Sequence, residues 1–236
     1  MKDEQVRNFF VNKQLTEEEQ KYLDYHLKRL SFTTSLVEQF TQMHNTQNIL
    51  DIGPHFLTYC LAQMLKPKIK ISTLGFSNER LCPSDLIENH FEINLNECSS
   101  SLLPASQANF DLIVFSETIE HLCTSPKTIL SFFSGLLKKE RGAGILIQTP
   151  NAVSLPKRIR MLLGNNPFEL IREDKTNPGH IREYTMKELE NYAYDTGFEI
   201  LSKKYCSYWI GNSLTKMMIN LVPSFRDGIT LLLVRK

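Results

Sequence analysis

Two carboxylates and an imidazole, Glu117, Glu120 and His121, follow directly on the apolar run Phe110-Asp111-Leu112-Ile113-Val114-Phe115. Such a run reads as a buried strand, so its abrupt end in polar side chains puts chemistry at a strand terminus. Three arrangements are open. In the first, Glu117 ends the strand, Glu120 is solvated or paired with an arginine, and His121 hydrogen-bonds a loop carbonyl. In the second, His121 is a general base, with Glu117 as its catalytic companion, that takes the proton of a bound hydroxyl. In the third, Glu117, Glu120 and His121 join the later His180 around one divalent metal. The two-residue gap sets the carboxylates about one helical turn apart, and mixed carboxylate and imidazole donors suit Mg2+, Mn2+ or Zn2+ with a position left open for an oxygen.

These residues need a scaffold, and 236 residues of which 42% are hydrophobic are enough for one large domain with its own core. The net charge of +1 lacks the global attraction of a dedicated nucleic-acid binder, so nucleic acid is not the expected partner. Cys60, Cys82, Cys98, Cys123 and Cys206 are odd in number and contain no Cys-x-x-Cys pair, which reads as reduced thiols in a cytoplasmic protein. The first residues lack a signal peptide's apolar core, and no apolar run reaches the ~20 residues that span a bilayer.

The elements alternate. Thr16-Glu17-Glu18-Glu19 is a capping-box start, and Tyr22, Leu23, Leu27 and Leu30 follow at helical spacing, so residues 1–47 read as a helical cap over one edge of the site. A core over 48–151 follows, with strands at 49–52, 69–74, 91–95, 111–115 and 144–149. Helices are expected over 57–65 and after Ser125-Pro126, where proline occupies the first helical position. The polar stretch 78–89 carries Pro83 and argues against a helix there. Residues 152–179, with a basic helix-like part at 157–163, are long enough to be a functional insertion, a lid. Lys157, Arg158, Arg160, Arg172 and Lys175 would meet an anionic acceptor, or form a solvated face. Thr185-Met186-Lys187-Glu188 is a second capping box and Gly197 a helix stop. In the last part, 180–236, strands at 198–202 and 229–234 flank an apolar segment, 209–222, read most simply as a packed helix, with membrane-surface contact the less expected alternative because its polar face is not rich in lysine. Strand and helix alternation of this kind makes an α/β doubly wound sheet.

Four ordered segments resemble the class I S-adenosylmethionine-dependent methyltransferases: Asn48-Ile49-Leu50-Asp51-Ile52-Gly53, the stretch 110–122, the stretch 145–151 ending in Thr149-Pro150-Asn151, and His180-Ile181-Arg182-Glu183-Tyr184-Thr185. The resemblance implies a Rossmann-like sheet of about seven strands, mostly parallel with an antiparallel last strand. It implies S-adenosylmethionine as cofactor, held by Asp51, Gly53, Pro54, His55, Gly75, Phe76, Asn94, Leu95 and Ser116. The glycine motif is incomplete, since the family's second and third glycines fall at His55 and Leu57. The acidic residue usual after strand two is replaced by Gly75-Phe76-Ser77-Asn78, leaving Ser77 or Asn78 to take its place.

The polar cluster is similar to that of the small-RNA 2'-O-methyltransferases and the ubiquinone-pathway O-methyltransferases, which implies a metal, Mg2+ or Mn2+, on Glu117, Glu120, His121 and His180. The expected function is methylation of a small-molecule or glycan hydroxyl. A non-catalytic binding module with a degenerate cofactor site is the alternative, and RNA methylation is disfavoured by the near-neutral charge.

Overall fold

The computed structural model describes residues 3–98, 109–174, 178–208 and 213–236, so Lys175 and the start of the apolar segment at Trp209 lie outside the described residues. Helices α1 (Asp3–Phe9) and α2 (Glu17–His44) precede strand β1 (Asn48–Ile52). Next come α3 (Phe56–Leu65), β2 (Lys70–Gly75), β3 (His90–Glu92), β4 (Leu112–Ser116), α4 (Pro126–Leu136) and β5 (Gly144–Pro150). The chain closes with α5 (Leu155–Leu162), α6 (Met186–Asp195), β6 (Phe198–Cys206), α7 (Ser213–Leu221) and β7 (Gly228–Arg235).

The seven strands lie in the order β3-β2-β1-β4-β5-β7-β6, parallel except for β7, which runs antiparallel to both β5 and β6. From β1 the chain winds outward through β2 and β3, then returns to place β4 on the other side of β1. That reversal opens a crevice beyond the carboxyl ends of β1 and β4, where open α/β sheets bind their ligands.

The central strands are apolar without interruption because both faces are covered. Ile49, Ile71, Leu112, Val114 and Leu146 pack under α1, α2 and α3, whereas Leu50, Ile113, Phe115, Ile145 and Ile147 pack under α4 and α6. Side chains alternate across a strand, so one continuous run serves two cores. Both capping boxes form: Thr16 accepts from the Glu19 N–H and Thr185 from the Glu188 N–H. Gly197 ends α6 with φ of 82°, a conformation glycine adopts without cost.

Three expectations are corrected. The third strand ends at Glu92, because the Asn94 side chain accepts from the Asn96 N–H and starts a 3-10 turn at Leu95–Glu97. Strand β6 runs on to Cys206 because β7 pairs with it over its full length. Helix α7 forms, but it is not packed away between strands: Met217 and Leu221 are exposed. No helix among the described residues is long and apolar enough to cross a membrane.

Candidate active site

The turn after β1 passes through Gly53 at φ of 75°, and a Cβ there would meet the Thr118 hydroxyl at 3.3 Å. Gly75, at φ of 134°, comes equally close, since its Cβ would lie 3.4 Å from the Gly53 nitrogen. Glycine is therefore favoured at both positions by conformation, and the turn brings the two into van der Waals contact. On either side of this ridge lies a pocket, and Ile52, Gly53, Phe76 and Thr118 line both.

The first pocket, about 840 Å³, is walled by Phe76, Ile93, Asn94, Leu95 and Leu122, with His121 at one end. Its walls are mostly apolar. The second, about 1080 Å³, gathers charge: Arg29, Asp51 and Glu117 line it with Tyr22, Pro54, His55, Ser77, Asn78 and Ser116. The two missing glycines do not close it, because His55 and Leu57 form part of its wall. Thus every residue expected to hold cofactor borders one pocket or the other.

Arg29 and Tyr22 were not anticipated. Arg29 projects from α2, is 5% exposed, and donates to the Ser116 hydroxyl (3.3 Å), the Tyr22 hydroxyl (3.1 Å) and His26 Nδ1 (3.4 Å). Among the described residues no carboxylate lies within 4.0 Å of it, so a buried cation faces the pocket without a contact ion pair. Burial opposes its charge, but the nearby Glu117 carboxylate and Tyr22 outweigh that, and its pKa is raised. Burial, then Arg29, push the His26 imidazole down to about 3 and that of His55 to about 4. In the sequence Tyr22, His26 and Arg29 recur at spacings of four and three beside the leucines of α2, which marks a polar stripe but not a pocket wall.

Asp51 is fully buried and accepts from the Thr58 hydroxyl at 2.5 Å; burial raises its pKa to about 7. Glu117 has φ of 52°, one of two non-glycine residues with positive φ among those described. Strain of this kind persists where surroundings hold it, and here the Glu117 N–H donates to the Gln148 carbonyl at 2.9 Å. Gln148 itself is a buried hub: its Oε1 accepts from Thr33 (2.5 Å) and Ser116 (2.9 Å), and its Nε2 donates to Tyr208 (2.9 Å) and Thr230 (3.2 Å).

Glu120, His121 and His180 bring one ligand atom each within 4.8 Å of one another. Glu117, expected as the fourth member, is not in this group and borders the charged pocket instead. Glu120 is neither solvated nor paired with an arginine. It is 0% exposed, its Oε2 accepts from the Thr149 hydroxyl at 3.0 Å, and its Oε1 has no partner. Burial, then the Glu117 charge, raise its pKa well above the usual range.

His121 Nδ1 lies 2.8 Å from the Gly179 carbonyl and His180 Nδ1 lies 3.0 Å from Glu183 Oε1. Each acceptor calls for a proton on Nδ1, which leaves the Nε2 lone pair of both rings free. Glu183 is held in turn by Lys157, so α5 is tied to this cluster. Burial pushes the Lys157 ammonium down to about 8.

A family model described as a methyltransferase domain matches residues 25–203. No curated protein matches the chain. Solved structures do. A SAM-dependent methyltransferase from Archaeoglobus fulgidus superposes with a TM-score of 0.57 at 14% identity, covering 91% of this chain and 99% of that one. Magnesium protoporphyrin IX methyltransferase from Synechocystis PCC 6803, with bound SAH, gives 0.56 at 10% identity over 99% and 93%. A cyclopropane-fatty-acyl-phospholipid synthase-like protein from Lactobacillus casei ATCC 334 gives 0.60 at 12% identity over 100% of both chains. At these identities the likeness is one of fold.

Proposed function

The chain belongs to the methyltransferase-domain family, and from that premise we propose that it transfers the methyl group of S-adenosylmethionine to an oxygen acceptor, a small-molecule or glycan hydroxyl. The observation that carries the cofactor is the pairing of unlike pockets across Gly53: one mostly apolar, one charged, with a buried cation that lacks a close anion. A purine suits the first, between Phe76, Asn94 and Leu95. A zwitterionic amino-acid end suits the second, its carboxylate on Arg29 and its ammonium toward Glu117 and Asp51. When bound, S-adenosylmethionine supplies a methyl group already activated by its sulfonium, so the protein's part is alignment.

On the acceptor side Glu120, His121 and His180 suit a divalent ion such as Mg2+ or Mn2+. The three residues each bring a ligand atom within 4.8 Å of the others, Glu120 Oε1 is buried without a partner, and each ring is oriented by a hydrogen bond from its Nδ1, the outer arrangement that metal-binding histidines use. Neighbouring ligands of an ion bound at about 2.1 Å lie roughly 3 Å apart, so the group would have to contract by up to about 2 Å. Such an ion would lower the pKa of an acceptor hydroxyl and orient it. Without it, His121 Nε2 remains a base at the mouth of the first pocket. The lid, tied through Lys157 and Glu183, excludes water while the acceptor is held.

Titration calorimetry tests both halves. S-adenosylhomocysteine should bind wild type, and absence of heat at millimolar ligand would sink the methyltransferase reading. Mn2+ should bind wild type but not His180→Ala, with S-adenosylhomocysteine affinity kept in the variant; equal Mn2+ binding by both would remove the ion from this site.

A further inference from the structure

Helix α5 is turned inside out. At about 100° per residue, Leu155, Ile159, Leu162 and Leu163 share one face and Lys157 stands opposite. In a globular protein the apolar face packs inward. Here it is Lys157 that reaches into the protein, to Glu183, while Arg158 lies over the Phe225 ring at 5.1 Å. Of the apolar face only Leu155 is buried; Ile159, Leu162 and Leu163 are 48%, 87% and 70% exposed. Beyond α5 the chain also exposes Leu170 and Ile171.

A second exposed apolar segment stands next to it. Helices α5 and α7 both pack against the turn Pro223–Phe225, and α7 with its following residue exposes Met217, Leu221 and Val222. Neither helix contains an Asp or Glu. Beside α7 a groove of about 1140 Å³ is lined by Lys28, Lys203, Lys204 and Arg226, of which Lys203 pairs with Glu190, and Arg160 is exposed on α5 itself. The lid's acids, Glu169, Glu173 and Asp174, come after its apolar tip, and Glu169 pairs with Arg172.

Isolated exposed leucines need no explanation, but an outward-facing apolar helix beside a second apolar segment marks an interaction surface. Its chemistry selects the partner. A short amphipathic helix with arginines on its polar side, next to a cluster of lysines, has the make-up of a segment that lies in a lipid interface, its leucines among acyl chains and its cations among anionic headgroups. A second copy of this chain would bring the same cations face to face. We propose that α5, the lid tip and α7 together dock the protein on an anionic lipid bilayer.

Co-sedimentation with vesicles tests this. Wild type should pellet with vesicles of equal parts phosphatidylcholine and phosphatidylglycerol, weakly with phosphatidylcholine alone, and less in high salt. The Leu162→Glu/Leu163→Glu variant should lose at least about tenfold in partitioning, since each leucine forfeits its transfer into the interface. Arg160→Glu should weaken binding to the anionic vesicles only. Both variants alter exposed residues, and an unchanged melting temperature and S-adenosylhomocysteine affinity would show that fold and cofactor site are intact. Failure of wild type to pellet, or equal pelleting by the leucine variant, would overturn the proposal. So would a wild-type dimer that this variant splits and that never binds vesicles, because the face would then belong to a second copy.

Discussion

Replacing Arg29 by methionine separates the two ends of the cofactor. Methionine keeps most of the side-chain volume and removes the charge. A guanidinium hydrogen-bonded to a carboxylate contributes about 1.5–3 kcal/mol per bond, more where the carboxylate would otherwise face the charged Glu117. A loss of about 2–4 kcal/mol is therefore expected, a rise of roughly 30- to 1000-fold in the dissociation constant of S-adenosylhomocysteine. Arg29 also hydrogen-bonds Ser116, Tyr22 and His26 and lies near the Glu117 carboxylate, so its removal costs the free protein some stability as well, which the melting temperature reads separately. The assay is calorimetry with two ligands, S-adenosylhomocysteine and 5'-methylthioadenosine, which lacks the amino-acid end. The first should weaken strongly in Arg29→Met and the second should not. Equal losses for both, or a change below about threefold for the first, would refute the assignment of Arg29 to a carboxylate.

Two further outcomes follow from buried or strained groups. Glu117→Gly should stabilise the free protein by up to about 1 kcal/mol, or a few degrees in melting temperature, because glycine adopts a positive φ without strain. The same change should weaken S-adenosylhomocysteine binding, and a fall in melting temperature would contradict it. Asp51 has a folded pKa raised to about 7 from the ordinary 3.8, so its contribution to stability is full below the lower value and lost as pH rises through the upper one. Denaturation of the free protein should accordingly show about 2 kcal/mol less stability from this group at about pH 7 than at about pH 5.5. Asp51→Asn should flatten that slope, and an unchanged slope would mean that Asp51 is already ionised.

Much of this architecture was legible because it is local or periodic. The run 112–115 had to be a doubly covered strand, and Thr16 and Thr185 announce their helices through side chains that reach only three residues. The tight turn after β1 was legible from Gly53 for the same reason. Arg29 was not, because its meaning lies in Ser116, 87 positions away, and nothing within α2 distinguishes it from a solvated arginine. The grouping of Glu117 with Glu120 failed because helical spacing was assumed where the backbone of Glu117 is left-handed, which turns its side chain toward the other pocket. The exposed face of α5 could not be foreseen either. An amphipathic pattern reveals that a helix has two faces, and only Lys157 meeting Glu183 decides which one is inside.

The hydrogen bonds around Gln148 bear on how such a protein could be rebuilt. Thr33 of α2, Ser116 of β4, Tyr208 beyond β6 and Thr230 of β7 all meet one amide on β5. The amino-terminal helix is thereby keyed to the middle of the sheet, and Arg29 stands one turn of α2 from that key. Grafting a relative's amino-terminal segment onto this core would replace a wall of the charged pocket as well as a cover, and any graft that slips α2 by a turn would move Arg29 about 5 Å along the helix axis and out of the pocket.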